Sequence, residues 1–231
     1  MADNALKALV TGATRGIGRA IALELVARGA SVFASGRDEI LLDSLMRETG
    51  CAGRAFDLSD PEAAIRLYAA AKEYFGAAPD VLVNNAGFNA RKSPIIEATV
   101  EEFDAQYAVN LRAPFLLCRE ALRDMAAARR GHIVNIISSS ALFANETVGV
   151  YTTMKAGLRG LTGVLVKEAR QSGVKVTAVY PGGVDTEFRK NPRHDYMKPE
   201  SAARVIVDAI YAPEDAIVHE LVFRPMVESN F

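Results

Sequence analysis

In the stretch YTTMK, Tyr151 and Lys155 stand four residues apart, a spacing that puts both on one face of a helix. A phenol has an ordinary pKa of about 10, and a neighbouring ammonium favours its phenolate. A tyrosine so placed is a proton donor tuned towards neutral pH. Taken alone, the pair reads better as two residues of a surface helix, because Y-x-x-x-K arises by chance in many chains.

A second chemical signal is TGATRGIG, with Gly12, Gly16 and Gly18. Glycines in such a turn allow the backbone close to a pyrophosphate. The helix that follows would offer its free N–H groups and positive dipole end to that anion. The spacing is G-x-x-x-G-x-G rather than the more common G-x-G-x-x-G, and a turn without a ligand is the alternative.

Both signals need elements to position them. Short β-branched runs recur: ALKALVTG, SVFAS, AGRAFDL, DVLVNNAG, GHIVNIISS, VKVTAVYPG and AIVHELVF. Helical patterns lie between them, at 16–28 (where Ile17, Ile21, Leu25 and Val26 keep helical spacing) and near 38–48, 60–75, 100–128, 151–171 and 199–211. The alternation predicts an α/β fold, a doubly wound seven-stranded parallel sheet flanked by helices, in one domain over 1–231. Ligands of such sheets bind beyond the carboxyl ends of the strands.

Composition narrows the function classes. The 231 residues are half apolar and carry a net charge of −1, so no global field recruits nucleic acid or an anionic membrane. Cys51 and Cys118 form no ligand or disulfide pattern, which suits a reducing compartment. MADNALKALV shows no signal peptide, and no apolar run approaches a membrane span. A soluble cytoplasmic protein is expected. His132, His194 and His219 are scattered, and no metal is expected.

Polar and small residues collect where strands should end: Asp57-Leu58, Asn84-Asn85-Ala86-Gly87, Ser138-Ser139-Ser140 and Pro181-Gly182-Gly183-Val184-Asp185-Thr186. Each alone is ordinary turn chemistry. Together, TGATRGIG, NNAG, the serine after the fifth strand, YTTMK and PGGVDT resemble the short-chain dehydrogenases/reductases in order and spacing. The resemblance runs from about Lys7 to Thr186 and is to the shorter, single-domain branch, with a family-like last strand near 217–223.

The resemblance implies a Rossmann-type fold and hydride transfer between a nicotinamide cofactor and a ketone, aldehyde or secondary alcohol. It makes Tyr151 the general acid/base and has Lys155 lower the phenol pKa and hold the ribose hydroxyls. Ser138, thirteen residues before Tyr151, would bind the substrate oxygen, with Ser139 and Ser140 as competitors for that place. Asn110 is a poor helix-interior residue. In the family an asparagine followed by Leu-x-x-x-Phe, here Asn110-Leu111 to Phe115, interrupts the helix and holds a water that links the lysine to solvent.

By the same resemblance Gly12, Thr14, Arg15, Gly16, Ile17 and Gly18 form the phosphate turn. Asp57 and Leu58 flank the adenine, while Asn84, Ala86 and Gly87 line the adenosine and ribose side. Pro181, Gly182 and Val184 meet the nicotinamide, with Thr186 near its carboxamide or phosphates. The second strand ends Ala34-Ser35-Gly36-Arg37, with no acid where a ribose 2′-hydroxyl would be held. Arg37 and Arg15 could converge on a 2′-phosphate, so NADP(H) is expected over NAD(H). Asp38 is the competing feature, since a shift of one residue would bring it to the ribose.

The substrate is a small carbonyl or alcohol compound that the residues do not name. Leu142, Phe143, Val184 and Phe188 form either an apolar substrate wall or core. HELVFRPM lacks the Asp-Gly-Gly often seen in fatty-acid-type reductases of the family, and the segment after PGGVDT is short. Arg189, Lys190, Arg193 and His194 read as a solvated loop rather than an acidic-substrate site. The resemblance also implies a homotetramer, with a dimer as the alternative. Competing functions are a dinucleotide sensor without turnover, and an isomerase or dehydratase.

Overall fold

The computed structural model describes residues 5–188 and 191–228. Seven strands form one parallel sheet: β1 (Lys7–Thr11), β2 (Ser31–Gly36), β3 (Ala52–Ala55), β4 (Val81–Asn84), β5 (His132–Ile136), β6 (Lys175–Pro181) and β7 (Glu220–Phe223). Their order is β3-β2-β1-β4-β5-β6-β7, so the direction of winding reverses between β1 and β4. The helices are α1 (Gly16–Ala27), α2 (Glu39–Thr49), α3 (Pro61–Phe75), α4 (Val100–Tyr107), α5 (Ala113–Ala128), α6 (Gly149–Arg170) and α7 (Pro199–Ile210).

Strand alternation explains the layering. Successive side chains point to opposite faces of a sheet. Leu9, Leu82 and Ile133 enter one core with Leu67, Leu117, Met125 and Leu165 of α3, α5 and α6. Their neighbours Val10, Val83 and Val134 enter the other, with Ile21, Leu25, Leu45 and Ile206 of α1, α2 and α7. Strands covered on both faces must be apolar throughout, hence the unbroken runs in the sequence.

Local chemistry sets the helix ends. Asp60 caps α3 through the Glu62 N–H, with Pro61 in its first turn, and Gly76 closes it in the left-handed conformation. Thr99 and Glu102 form a capping box on α4. The helical pattern over 100–128 is interrupted at Asn110, as the resemblance implied, by a π-helical turn, Ala108–Arg112, between α4 and α5. Asparagine competes poorly for a helix interior, and here its side chain has other partners. The last strand, β7, begins at Glu220, later than the apolar run AIVHELVF suggested. Among the described residues no helix is long and apolar enough to cross a membrane.

Candidate active site

The winding reversal places β1 and β4 side by side, and their C-terminal ends are stitched together. Thr11 Oγ1 accepts from the Asn85 and Ala86 N–H groups, both at 3.0 Å. Asn85 Nδ2 donates back to the Thr11 and Gly12 carbonyls at 3.0 and 3.1 Å. A Cβ on Gly12 would sit 2.8 Å from Ala86 Cα, and one on Gly18 would sit 2.2 Å from the Gly12 carbonyl oxygen. Both glycines are therefore required by packing. Gly16 has φ +55°, a left-handed conformation that favours glycine, and it faces the Thr186 methyl across the cleft.

The N-terminus of α1 carries no side-chain cap. Arg15 at its N-cap makes no side-chain cap bond, and the first turn carries no acid. The N-terminal ends of α5, α6 and α7 are likewise without a side-chain cap, whereas α2, α3 and α4 have one. Uncapped N–H groups and the helix dipole suit a pyrophosphate.

Lys155, Asn110 and Gly87 come together from α6, the π-turn and the loop after β4. Asn110 is fully buried; its Oδ1 accepts from Phe88 N–H at 3.0 Å and its Nδ2 donates to the Phe88 carbonyl at 2.8 Å. A Cβ on Gly87 would meet Asn110 Oδ1 at 2.6 Å and Lys155 Nζ at 3.4 Å. Lys155 is 3% exposed, and burial pushes its ammonium down to about 8. Among the described residues its one hydrogen bond goes to the Ile136 carbonyl, at 2.9 Å. Two of its three donors are left for a ligand.

Tyr151 lies one turn earlier on α6, with Lys155 Nζ 5.8 Å from its ring centroid. Its ring also stands 5.7 Å from that of Phe188, in the loop after β6. Ser138 leaves β5 with extended backbone and caps a short 3₁₀ turn, Ser139–Ala141, which packs against α6. Leu142 and Phe143 follow this turn. The Arg224 guanidinium lies over the Phe143 ring, and Arg224 Nε donates to Glu228 at 2.9 Å. Glu228 also accepts from the Gly183 N–H, so the residues after β7 return across the sheet edge. Val184 is buried and bridges to Met197. Asp185 anchors the same loop through the Arg193 N–H, which holds its carboxyl below the usual range, and through His194. Arg189 and Lys190 lie outside the described residues.

At the end of β2 the side chains sort differently from the sequence reading. Ser35 is 1% exposed, and its hydroxyl lies in the interior with no hydrogen-bond partner among the described residues. Only its carbonyl, accepting from Ala13 N–H, faces the glycine turn. The Thr14 methyl occupies the space a side chain on Gly36 would need, 2.4 Å from its Cβ position. Asp38 Oδ1 caps α2 through Leu41 N–H, and Oδ2 pairs with Arg15 at 3.3 Å. Arg37 lies close enough to Asp57 to help hold its carboxyl below the usual range, after the larger effect of the Ser59 N–H.

The Asn84 side chain also points inward. It is 2% exposed and donates to Asn135 at 2.9 Å and to Cys118 Sγ at 3.2 Å. Its side chain lies below the strand end, inside the core, which leaves its backbone as the part that reaches the cleft edge. Leu58 is also mostly buried, in the core with Phe33. Sequence reasoning named Asn85 only as a strand-end residue and Ser140 only as a competitor of Ser138, and it did not single out Thr11 or Asn135. The period-2 pattern of β4 could have assigned Asn84 and Asn85 to opposite faces; nothing marked Thr11 or Asn135.

The short chain dehydrogenase family model matches residues 6–197. A short-chain type dehydrogenase/reductase of Sinorhizobium fredii is 35% identical over 94% of this chain and 90% of its own. A metagenomic short-chain oxidoreductase solved with NADP is 34% identical, covers 97% of this chain and 99% of its own, and superposes with a TM-score of 0.86. A serine dehydrogenase solved in a closed form with NADP+ superposes at 0.89, with 26% identity over 96% of both chains. Together with the seven-stranded fold, these matches show that the chain is an oxidoreductase belonging to the short-chain dehydrogenase/reductase family.

Proposed function

We propose that the chain is an NADP(H)-dependent oxidoreductase that interconverts a small carbonyl compound and its secondary alcohol, with binding and catalysis in one domain over 1–231. The observation that carries this reading is the buried Lys155 ammonium, with two donors unspent, one helical turn from Tyr151 and beside Gly87 and Asn110. A buried cation is costly unless something pairs with it, and ribose hydroxyls supply the missing acceptors.

When bound, the nicotinamide supplies or accepts the hydride. The α1 N-terminus and the turn Gly12–Gly18 hold the pyrophosphate, with Thr14 and Ile17 packing the turn. Lys155 holds the ribose and favours the Tyr151 phenolate. Tyr151 gives its proton to the substrate oxygen in reduction and takes one in oxidation. Ser138 hydrogen-bonds the same oxygen and stabilises its developing charge. Asn110, whose side chain is engaged by Phe88, keeps the π-turn open for a water that reconnects Lys155 to solvent. Ala86, Gly87, Pro181, Gly182, Val184 and Thr186 line the cofactor.

The preference for NADP(H) rests on Asp38. Its two oxygens are engaged by the start of α2 and by Arg15, leaving no acid poised for a 2′-hydroxyl. Arg15 and Arg37 then receive the 2′-phosphate. We also propose a homotetramer, on the exposed Phe103, Tyr107, Phe115 and Val164 along α4, α5 and α6. Loss of reduced-nicotinamide absorbance with a panel of ketones and aldehydes tests the reading, with faster consumption of NADPH than of NADH expected. Binding without consumption across the panel would make the protein a dinucleotide sensor instead. Equal or faster NADH turnover would remove the NADP(H) preference.

A further inference from the structure

We infer that Ser140 is a positioning residue that makes Ser138 an obligate hydrogen-bond donor to the substrate oxygen, an inference that rests on the role proposed for Ser138. Ser138 Oγ is approached by two groups of the same residue. The Ser140 N–H lies 3.1 Å from it and the Ser140 Oγ 3.0 Å. The 3₁₀ turn makes this geometry, because Ala141 N–H bonds the Ser138 carbonyl and the Leu142 and Phe143 N–H groups both bond that of Ser139.

The direction of these bonds decides what Ser138 can offer. A serine hydroxyl has one proton and two acceptor sites. The Ser140 N–H can only donate, so it takes one acceptor site. Ser140 is 8% exposed, and Ser138 Oγ is the only hydrogen-bond partner of its hydroxyl among the described residues. Were Ser140 to accept instead, its own buried O–H would be left without an acceptor. Ser140 therefore donates, and the second acceptor site of Ser138 is filled. All that Ser138 has left to give is its proton. It is partly exposed at the strand end, and Ser140 is not, so the proton goes outward. A substrate oxygen that gains negative charge as hydride arrives needs such a donor. Donation from Ser140 also polarises the Ser138 hydroxyl and strengthens the bond it makes.

The test is a double-mutant cycle with Ser138→Ala, Ser140→Ala and the double variant, with Ser140→Thr as the conservative control. Ser140→Ala keeps the backbone donor and loses the hydroxyl, so kcat should fall about 2–10-fold, as for one neutral hydrogen bond, with the cofactor KM unchanged. On the Ser138→Ala background the same change should cost nothing. Ser140→Thr, which keeps the hydroxyl, should recover most of the wild-type kcat. An equal cost on both backgrounds, or none on either, overturns the inference and leaves Ser138 standing. A Ser138→Ala enzyme of wild-type activity overturns the role of Ser138 and this inference with it. Should Ser140→Ala fail to fold, a Ser140→Thr enzyme as impaired as Ser138→Ala would overturn the inference on its own.

Discussion

The two ends of the sheet each bury a titratable side chain, and they use it in opposite ways. At the carboxyl end Lys155 is pushed down to about 8; at the amino end His132 is pushed down to about 4, by burial and then by the charge of Lys175. His132 uses one ring nitrogen within the chain. Its Nε2 meets Thr177 Oγ1 at 2.7 Å, and Thr177 donates onward to the Val218 carbonyl at 2.6 Å. Among the described residues Lys155 makes one hydrogen bond, from a group with three donors. Perturbation by burial is common to both; a place beside the glycine-rich strand ends belongs only to the second. A shifted pKa alone does not mark a functional site, and the surroundings of the shifted group are what make Lys155 the candidate.

The sharpest way to break this contrast is at the open end. Tyr151→Phe keeps the ring packing and removes the transferable proton, so turnover should fall about 10²–10⁴-fold while NADPH binding survives. A variant that kept a substantial part of the wild-type rate would show that another group is the acid. Ser138→Ala should cost about 10²–10³ in kcat, as for one oxyanion donor. If Ser139→Ala were the damaging change instead, the serine assignment would be off by one residue.

A smaller effect is expected from the exposed cations. Arg37→Asp should weaken NADPH relative to NADH by about 10–100-fold, the worth of charge-assisted bonds to a phosphate. The wild-type preference should erode as salt rises, because Arg15 and the neighbouring Asp38 are solvent-exposed and screened. A preference insensitive to both the variant and salt would place the 2′-phosphate elsewhere.

The closed end should affect stability and leave turnover unchanged. His132 is neutral when folded and has an ordinary pKa near 6.5 when unfolded. Between about pH 6.5 and pH 4 the unfolded chain therefore binds the extra proton. The contribution of His132 is full above that window and is lost as pH falls through it, up to about 3 kcal/mol. Urea unfolding across this range should show the slope in the wild type and a shallower one in His132→Gln, at equal kcat per folded enzyme. The same slope in both would assign the acid sensitivity to other groups. The assembly should affect the chemistry least: light scattering at micromolar concentration should give a tetramer mass, and a monomer would remove that proposal.

Much of the fold was legible in the chain. Strands buried on both faces have to be continuous apolar runs, and those runs stood apart from the helical periods. The glycine turn and Y-x-x-x-K were legible too, because each is a local arrangement whose spacing along the backbone is its geometry. Their places were correct to within a residue or two: α6 begins at Gly149, against an expected 151. What only the tertiary structure decided is where a side chain points once strands and helices close on it. Asn84 and Asn85 are adjacent and alike, yet one faces Asn135 in the core and the other clamps Thr11 and Gly12. Ser35 sits at the strand end that the acid of other dinucleotide folds would follow, and it turns inward. The break at Asn110 was implied by the resemblance, but its partner Phe88, twenty-two residues away, was not readable from the helical period. Local spacing is carried by covalent geometry and is readable in one dimension. The burial of a side chain depends on partners from distant segments, and those exist only after the chain has folded.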